Sequence, residues 1–167
     1  MADAGLTHGA FYSHFPDKAA LVAAALTQAV RRHEGWMDDL EDAPDDGAKA
    51  HRLARRYLNR THRDQPDAGC PYPPLLAELA GDPTLGAELS RTLDRLAARF
   101  DGDSAPLAPD EQAAGLLAAC IGGMLMARAL PDGESDGLLR RVRRFLDHAF
   151  AGPPGSAPSK DREETPQ

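Results

Sequence analysis

The sequence predicts an all-α protein. Apolar residues make up 42% of the 167 residues and aromatic residues only 5%, a composition that favours helices packed through small and aliphatic side chains. Alanine, leucine and valine recur at spacings of three and four, the period of an amphipathic helix, and no segment alternates like a strand. Glycine and proline interrupt these runs, so the chain is predicted to fold as successive helices.

A short helix is predicted first, over residues 7–15. Gly5 favours a tight turn, Thr7 is a suitable N-cap, and Pro16 stops the helix. Asp17 is placed to cap the helix that follows. A turn followed by a short capped helix is the second half of a helix-turn-helix, whose second helix lies in the major groove of DNA.

The start of this short helix holds the candidate readers of DNA bases. Its side chains offer a hydroxyl, an imidazole and a methyl group, with one glycine for close approach: Thr7, His8, Gly9 and Ala10. Donors and positive charge near its end suit phosphate oxygens: Tyr12, His14 and Lys18. Phe11 and Phe15 are four residues apart, so we expect them to pack the helix onto its neighbours.

Six more helices are predicted after this segment. The first spans about residues 17–40 and carries an apolar face into the rest of the chain. The others lie at about residues 48–63, 75–80, 82–100, 108–130 and 135–149, separated by loops rich in glycine, proline and aspartate. Ser135 is expected to cap the last helix. Residues 152–167 contain few apolar side chains and are predicted to be disordered.

The first segment resembles the tetracycline-repressor (TetR) family of one-component bacterial transcriptional regulators. The shared pattern is Ala-Gly-Leu-Thr-x-Gly-Ala-Phe-Tyr-x-His-Phe-x-x-Lys-x-x-Leu, found here in residues 4–21. Further on, residues 69–79 and 130–132 resemble the start of the family's sixth helix and the joint between its last two helices. The resemblance implies a partial DNA-binding region in residues 1–33 and a helical regulatory and dimerisation domain in residues 34–151.

The resemblance also implies two helices ahead of the recognition helix, whereas this sequence begins within the second of them. We therefore expect an incomplete DNA-binding unit, as in an N-terminally truncated chain, that binds a double-stranded operator weakly. Residues 1–33 hold three basic and two acidic side chains, a net charge of +1, so the remainder carries −8 of the total of −7. A charge of +1 is small for a surface that must neutralise phosphates.

A small hydrophobic effector is the other ligand that the resemblance implies. Family members hold it among the middle helices, and its binding relieves repression. The aromatic and polar residues expected on inward faces are the pocket candidates: His33, Trp36, Tyr57, Tyr72 and Cys120. Each has an alternative role as an ordinary core side chain, since buried polar groups usually find partners within the protein.

Cys70 allows two interpretations. A thiol just before a helix N-terminus can be shifted toward the thiolate, which suits a redox or electrophile sensor. The nearest basic residue in the sequence is Arg63, so little charge is available to activate the thiol. We therefore expect Cys70 to be structural.

Enzymatic activity is not predicted. The sequence contains no nucleophile elbow, no glycine-rich phosphate loop and no paired His or Cys motif, so we expect no catalytic residue, metal or cofactor. The sequence also shows no signal peptide and no apolar run of membrane-spanning length, which favours a cytoplasmic protein without a membrane partner.

A homodimer is predicted from the last two helices. The first of them carries small residues and the second carries larger apolar ones, so two subunits can form a four-helix bundle. Two functions therefore stay open. The chain is either a repressor released by an effector or a dimeric ligand-binding module without effective DNA binding.

Overall fold

Seven α-helices are present in the computed structural model, which describes residues 14–38, 40–66, 69–102 and 106–151. They are α1 (Lys18–Asp38), α2 (Asp46–Tyr57), α3 (Arg60–Asp64), α4 (Tyr72–Glu78), α5 (Pro83–Ala97), α6 (Pro109–Ala129) and α7 (Asp132–Ala149). No strand occurs within those ranges. The predicted all-α class is thus confirmed.

The start of α1 follows the predicted capping. The backbone N–H of Ala20 donates to Asp17 Oδ1 at 2.8 Å, so this carboxylate satisfies one of the donors that a helix start leaves free. The bend at Pro16 and Asp17 separates α1 from the residues before it. Residues 1–13, which carry most of the predicted recognition helix, lie outside the described ranges.

The helix predicted over residues 48–63 is in fact two helices. α2 ends at Tyr57, and Asn59 caps α3 by accepting a hydrogen bond from the His62 backbone N–H at 2.9 Å. The amide of Asn59 also donates to the Arg56 carbonyl at 2.5 Å. An asparagine side chain competes with the helical backbone in this way, which explains the break.

The start of α7 also differs from the prediction. Pro131 is the N-cap, and Ser135 lies in the first turn, fully buried, with its N–H donating to the Pro131 carbonyl at 2.8 Å. Asp132 and Glu134 stand in this first turn, where negative charge is favourable near the helix N-terminus. Ser135 is therefore part of the helix rather than its cap.

The core is arranged around α6. This helix packs against α2, α3, α4, α5 and α7, while α1 packs against α5. The side chains of α6 that lie deepest in the core are Ala113, Leu116, Cys120, Met124 and Ala127. α2 and its C-cap turn an apolar face inward at spacings of three and four, and the residues of this face are buried: Ala50, Leu53, Ala54, Tyr57 and Leu58.

Length and composition alone would also allow α6 to cross a membrane, contrary to the expectation from sequence. A core helix passes the same test, and half of its most apolar window is buried among the other helices. This packing accounts for the apolar character of α6.

A buried carboxylate joins α2 to α6 and to the loop after α5. Asp46 is fully buried and accepts hydrogen bonds from Lys49 Nζ at 2.9 Å, the Gly102 N–H at 2.9 Å and Gln112 Nε2 at 3.1 Å. Burial by itself would raise the pKa of Asp46, but the hydrogen bonds outweigh it and lower the pKa. Asp46 is therefore an ionised anchor of the fold.

Candidate functional site

A small cavity lies between α1, α2, α5 and α6, with a volume of about 50 Å³. Five of its eleven lining residues have flexible apolar side chains: Val30 and Met37 from α1, Leu53 from α2, Leu96 from α5 and Leu117 from α6. Cys70, Pro71 and Tyr72 close one side. We call residues 69–72 the wall segment. Apolar surroundings of this kind suit an uncharged apolar ligand.

The tyrosine of the wall segment is held by a hydrogen-bonded chain. Tyr72 Oη lies 3.1 Å from the Glu88 carbonyl and 2.6 Å from Thr92 Oγ1. The carbonyl can only accept, so Tyr72 donates to it and the Thr92 hydroxyl donates to Tyr72. Arg95 in turn donates to Thr92 Oγ1 at 3.3 Å. These polar groups bind one another across the cavity wall.

Tyr57 and Cys70 also belong to the cavity lining. Burial is the largest influence on both side chains and raises the pKa of each above its usual value, and the neighbouring Tyr57 hydroxyl only partly offsets this for Cys70. Both groups are therefore neutral at physiological pH. A neutral, buried thiol is a poor nucleophile, so the geometry favours the structural interpretation of Cys70.

His62 was missed by the sequence reasoning, although it fixes the position of the wall segment. Its Nδ1 lies 2.7 Å from the Tyr57 carbonyl, and its Nε2 accepts the Cys70 N–H at 2.8 Å. The ring also packs edge-on against Tyr57, with centroids 4.3 Å apart. No local sequence pattern predicts a hydrogen bond between a side chain of α3 and a backbone N–H eight residues further along the chain.

The structure brings together some of the predicted site residues. Tyr57 and Tyr72 both line the cavity, whereas Cys120 is fully buried in α6 and does not belong to the lining. Burial raises the pKa of Cys120 to about 12. Other candidates lie outside the described residues: Thr7, His8, Gly9, Ala10 and Tyr12, together with the side chains of Lys18, His33 and Trp36. His14 is described and exposed.

A second apolar feature is the groove between α6 and α7. Its lining includes Gly122 and Met126 from α6 and Val142 and Phe145 from α7, around a volume of about 380 Å³. Met126 is 52% exposed and Phe145 is 65% exposed, which is unusual for side chains of this size. The groove and these two side chains form one continuous apolar surface.

Comparison with known proteins gives no family. No family model matches the chain, and no curated protein matches it. Within the described part of the chain, no group of three or more His, Cys, Asp or Glu residues could hold a metal ion. The chemistry of the site therefore has to be inferred from the cavity and the groove.

Proposed function

We propose that the chain is a TetR-like one-component transcriptional regulator, a repressor whose DNA binding is relieved by a small hydrophobic effector. One observation carries this proposal. Val30 and Met37 of α1 form part of the cavity lining, and α1 follows the predicted recognition helix directly in the chain. A molecule in the cavity would contact this helix, and any difference in contact between two positions of α1 would shift their populations.

The size of the cavity supports a movement of the helices on binding. Its volume of about 50 Å³ is enough for a few water molecules, whereas a cavity that holds benzene measures about 150 Å³. An effector larger than this must separate the helices that line the cavity. Because α1 is one of them, enlargement of the cavity changes the position of the helix nearest to the DNA-binding segment.

A matched pair of substitutions on α6 tests the cavity. Leu117→Phe places extra volume in the lining, while Leu125→Phe adds the same group at an exposed position of the same helix. Xenon under pressure is a suitable uncharged probe of an apolar cavity. We expect xenon to shift the methyl NMR signals of Val30 and Leu53 in the wild type and in Leu125→Phe, but not in Leu117→Phe. Equal shifts in all three proteins would contradict a site in this cavity.

A dimeric ligand-binding module without effective DNA binding is the second candidate. Charge favours it, because residues 1–33 carry a net charge of only +1 against −8 for the remainder. Selection from random DNA duplexes, followed by mobility-shift assays, separates the two functions. Enrichment of a palindromic sequence with salt-sensitive binding supports the repressor. No enrichment, combined with xenon uptake and dimerisation, supports the module.

The α6–α7 groove is the proposed dimer interface. A Cβ added at Gly122 would meet nothing within 4 Å, whereas one at Gly123 would lie 3.2 Å from Leu58 Cδ2. Gly123 thus packs closely within the subunit, and a larger side chain there would need Leu58 and Val142 to shift. Gly122 leaves space at the surface, and we propose that a second copy of the chain occupies that space in a twofold arrangement.

Gly115 and Gly122 of α6, which both have free space around an added Cβ, provide a test of this interface. Gly115 also has nothing within 4 Å, yet it lies outside the groove. Replacing either glycine with leucine should raise the intrinsic helix propensity by about 0.8 kcal/mol, so neither variant should fail to fold. We expect sedimentation to show a dimer for the wild type and Gly115→Leu but monomers for Gly122→Leu. A dimeric Gly122→Leu would place the interface elsewhere.

A further inference from the structure

His62 connects α2 to the wall segment through a single buried side chain. It is 7% exposed. Its Nδ1 contacts the carbonyl of Tyr57, the last residue of α2, and its Nε2 contacts the N–H of Cys70. The side chains of Tyr57 and Cys70 both line the cavity. The imidazole therefore links the end of α2 to the wall segment, although His62 itself is not part of the cavity lining.

These two hydrogen bonds determine where the proton of the ring lies. A carbonyl oxygen can only accept, so Nδ1 donates, and a backbone N–H can only donate, so Nε2 accepts. The neutral ring with its proton on Nδ1 is the form that makes both bonds. An imidazolium carries a proton on each nitrogen, so it would direct a donor at the Cys70 N–H and leave that buried amide without an acceptor.

Several charged groups lie near His62 among the described residues. Arg128 of α6 donates to the His62 carbonyl at 3.0 Å. Arg60 and Arg63 both bind Asp136 of α7, and Arg63 also binds Asp64. The two ring nitrogens face backbone groups, and the group at Nε2 is the Cys70 N–H donor. A second proton on the ring would therefore set two donors against each other at the Cys70 N–H.

Gly69 makes the position of the ring and that of the wall segment inseparable. A Cβ added at Gly69 would lie 2.5 Å from Cδ2 and 2.6 Å from Nε2 of His62. The ring therefore rests directly on the backbone of the wall segment. If the Cys70 hydrogen bond is lost, we expect the ring and the wall segment to shift relative to each other.

We propose that His62 is a proton-sensitive latch on the cavity, which holds the wall segment closed when neutral and releases it when protonated. This role of His62 depends on no effector and no DNA. Its effect on regulation rests on the proposed function. A released wall segment lowers effector affinity, so acid conditions would keep the repressor on DNA even when the effector is present.

Amide hydrogen exchange tests the latch directly. We expect the protection factor of the Cys70 N–H, corrected for the intrinsic effect of pH on exchange, to fall by at least about tenfold between about pH 8 and about pH 5. The Leu79 N–H, which donates to the Leu75 carbonyl of α4 at 2.8 Å, is the internal control and should change little. In His62→Gln the pH dependence should disappear, because glutamine does not titrate in this range. Constant Cys70 protection in the wild type would overturn the proposal.

Nitrogen-15 NMR of the wild-type imidazole keeps the test independent of how well the variant folds. At about pH 8 the proton should reside on Nδ1 of His62, and a proton on Nε2 would refute the latch. Xenon then tests whether release of the wall segment weakens binding in the cavity. Its effect on the methyl signals of Leu53 and Leu117 should weaken at about pH 5 in parallel with Cys70 protection. A xenon response independent of pH, alongside a fall in Cys70 protection, would refute control of the cavity by His62 while leaving the DNA-binding proposal untouched.

Discussion

Gly69→Ala is the substitution whose effect on stability follows most directly from the structure. The added methyl group would lie 2.5 Å from His62 Cδ2, much closer than carbon atoms approach in proteins. The ring cannot simply rotate away, because it is buried, packs against Tyr57 and makes hydrogen bonds at 2.7 Å and 2.8 Å. Either the ring or the wall segment must shift, and both movements break the bond to the Cys70 N–H.

The expected cost follows from three contributions. Overpacking a filled site costs about 1–3 kcal/mol, and a buried N–H without its acceptor costs about 1–3 kcal/mol. Alanine restricts the unfolded chain and returns about 0.4–1 kcal/mol. Taking the middle of each range, we expect a net loss of about 3 kcal/mol, which lowers the melting temperature by about 6–12 °C in a chain of this size.

Gly86→Ala is the matched control for this experiment. Gly86 lies in α5, and a Cβ there would meet nothing within 4 Å. This variant should be as stable as the wild type or more stable by up to about 1 kcal/mol. Chemical unfolding of both variants, of His62→Ala and of the double variant His62→Ala, Gly69→Ala completes the test. The two substitutions should be strongly non-additive, because the methyl group added at Gly69 clashes chiefly with the His62 ring, which His62→Ala removes. If Gly69→Ala proves as stable as Gly86→Ala, the packing described around His62 is wrong.

Further predictions concern the buried polar groups. Asp46→Asn should cost about 3 kcal/mol in urea unfolding, because it removes a buried charge bound by Lys49. The pKa of Asp46 is lowered by folding, so its stabilisation is complete above the unfolded value of 3.8 and is lost as the pH falls through the folded value; acid titrations followed by circular dichroism should show Asp46→Asn lacking this component. Cys70→Ser should change stability by about 1 kcal/mol, and wild-type Cys70 should react slowly with iodoacetamide because burial raises its pKa. An oxidant that changes the conformation of the wild type but not of Cys70→Ser would instead support a sensor. Tyr72→Phe should cost about 1 kcal/mol, measured by thermal unfolding, since the Glu88 carbonyl loses its donor.

Helical periodicity predicted most of the fold because it depends on residues close in sequence. The inward face of α2 follows spacings of three and four, and a carboxylate before the helix start marked the cap at Asp17. The prediction was wrong where a polar side chain competes with the backbone, as Asn59 does at the break between α2 and α3. Ser135 was wrongly assigned as a cap because serine is a common capping residue. The helix in fact begins earlier, with Pro131 as its N-cap, so Ser135 lies inside it.

The cavity was harder to anticipate than the helices around it. Tyr57 and Tyr72 were predicted to face inward, and both line the cavity. The role of His62 depends on a hydrogen bond between the end of one helix and a loop eight residues away, so it needs the path of the chain and not only its periodicity. Gly122 and Gly123 are neighbours in sequence, and periodicity alone does not distinguish their surroundings. Gly123 packs against Leu58 of the same subunit, whereas the space beside Gly122 is empty within 4 Å.

Protonation of His62 and binding of an effector in the cavity would be linked thermodynamically without any direct contact between the two ligands. If the effector binds only when the wall segment is closed, and a proton on His62 opens that segment, then each ligand opposes the binding of the other. Linkage requires the two effects to be equal, so an effector weakened tenfold by protonation must weaken protonation tenfold, a coupling of about 1.4 kcal/mol. Contacts of Val30 and Met37 with the bound effector would extend this coupling to α1. On the proposed function, His62 would then also set the pH range in which an effector can act on the proposed DNA-binding segment.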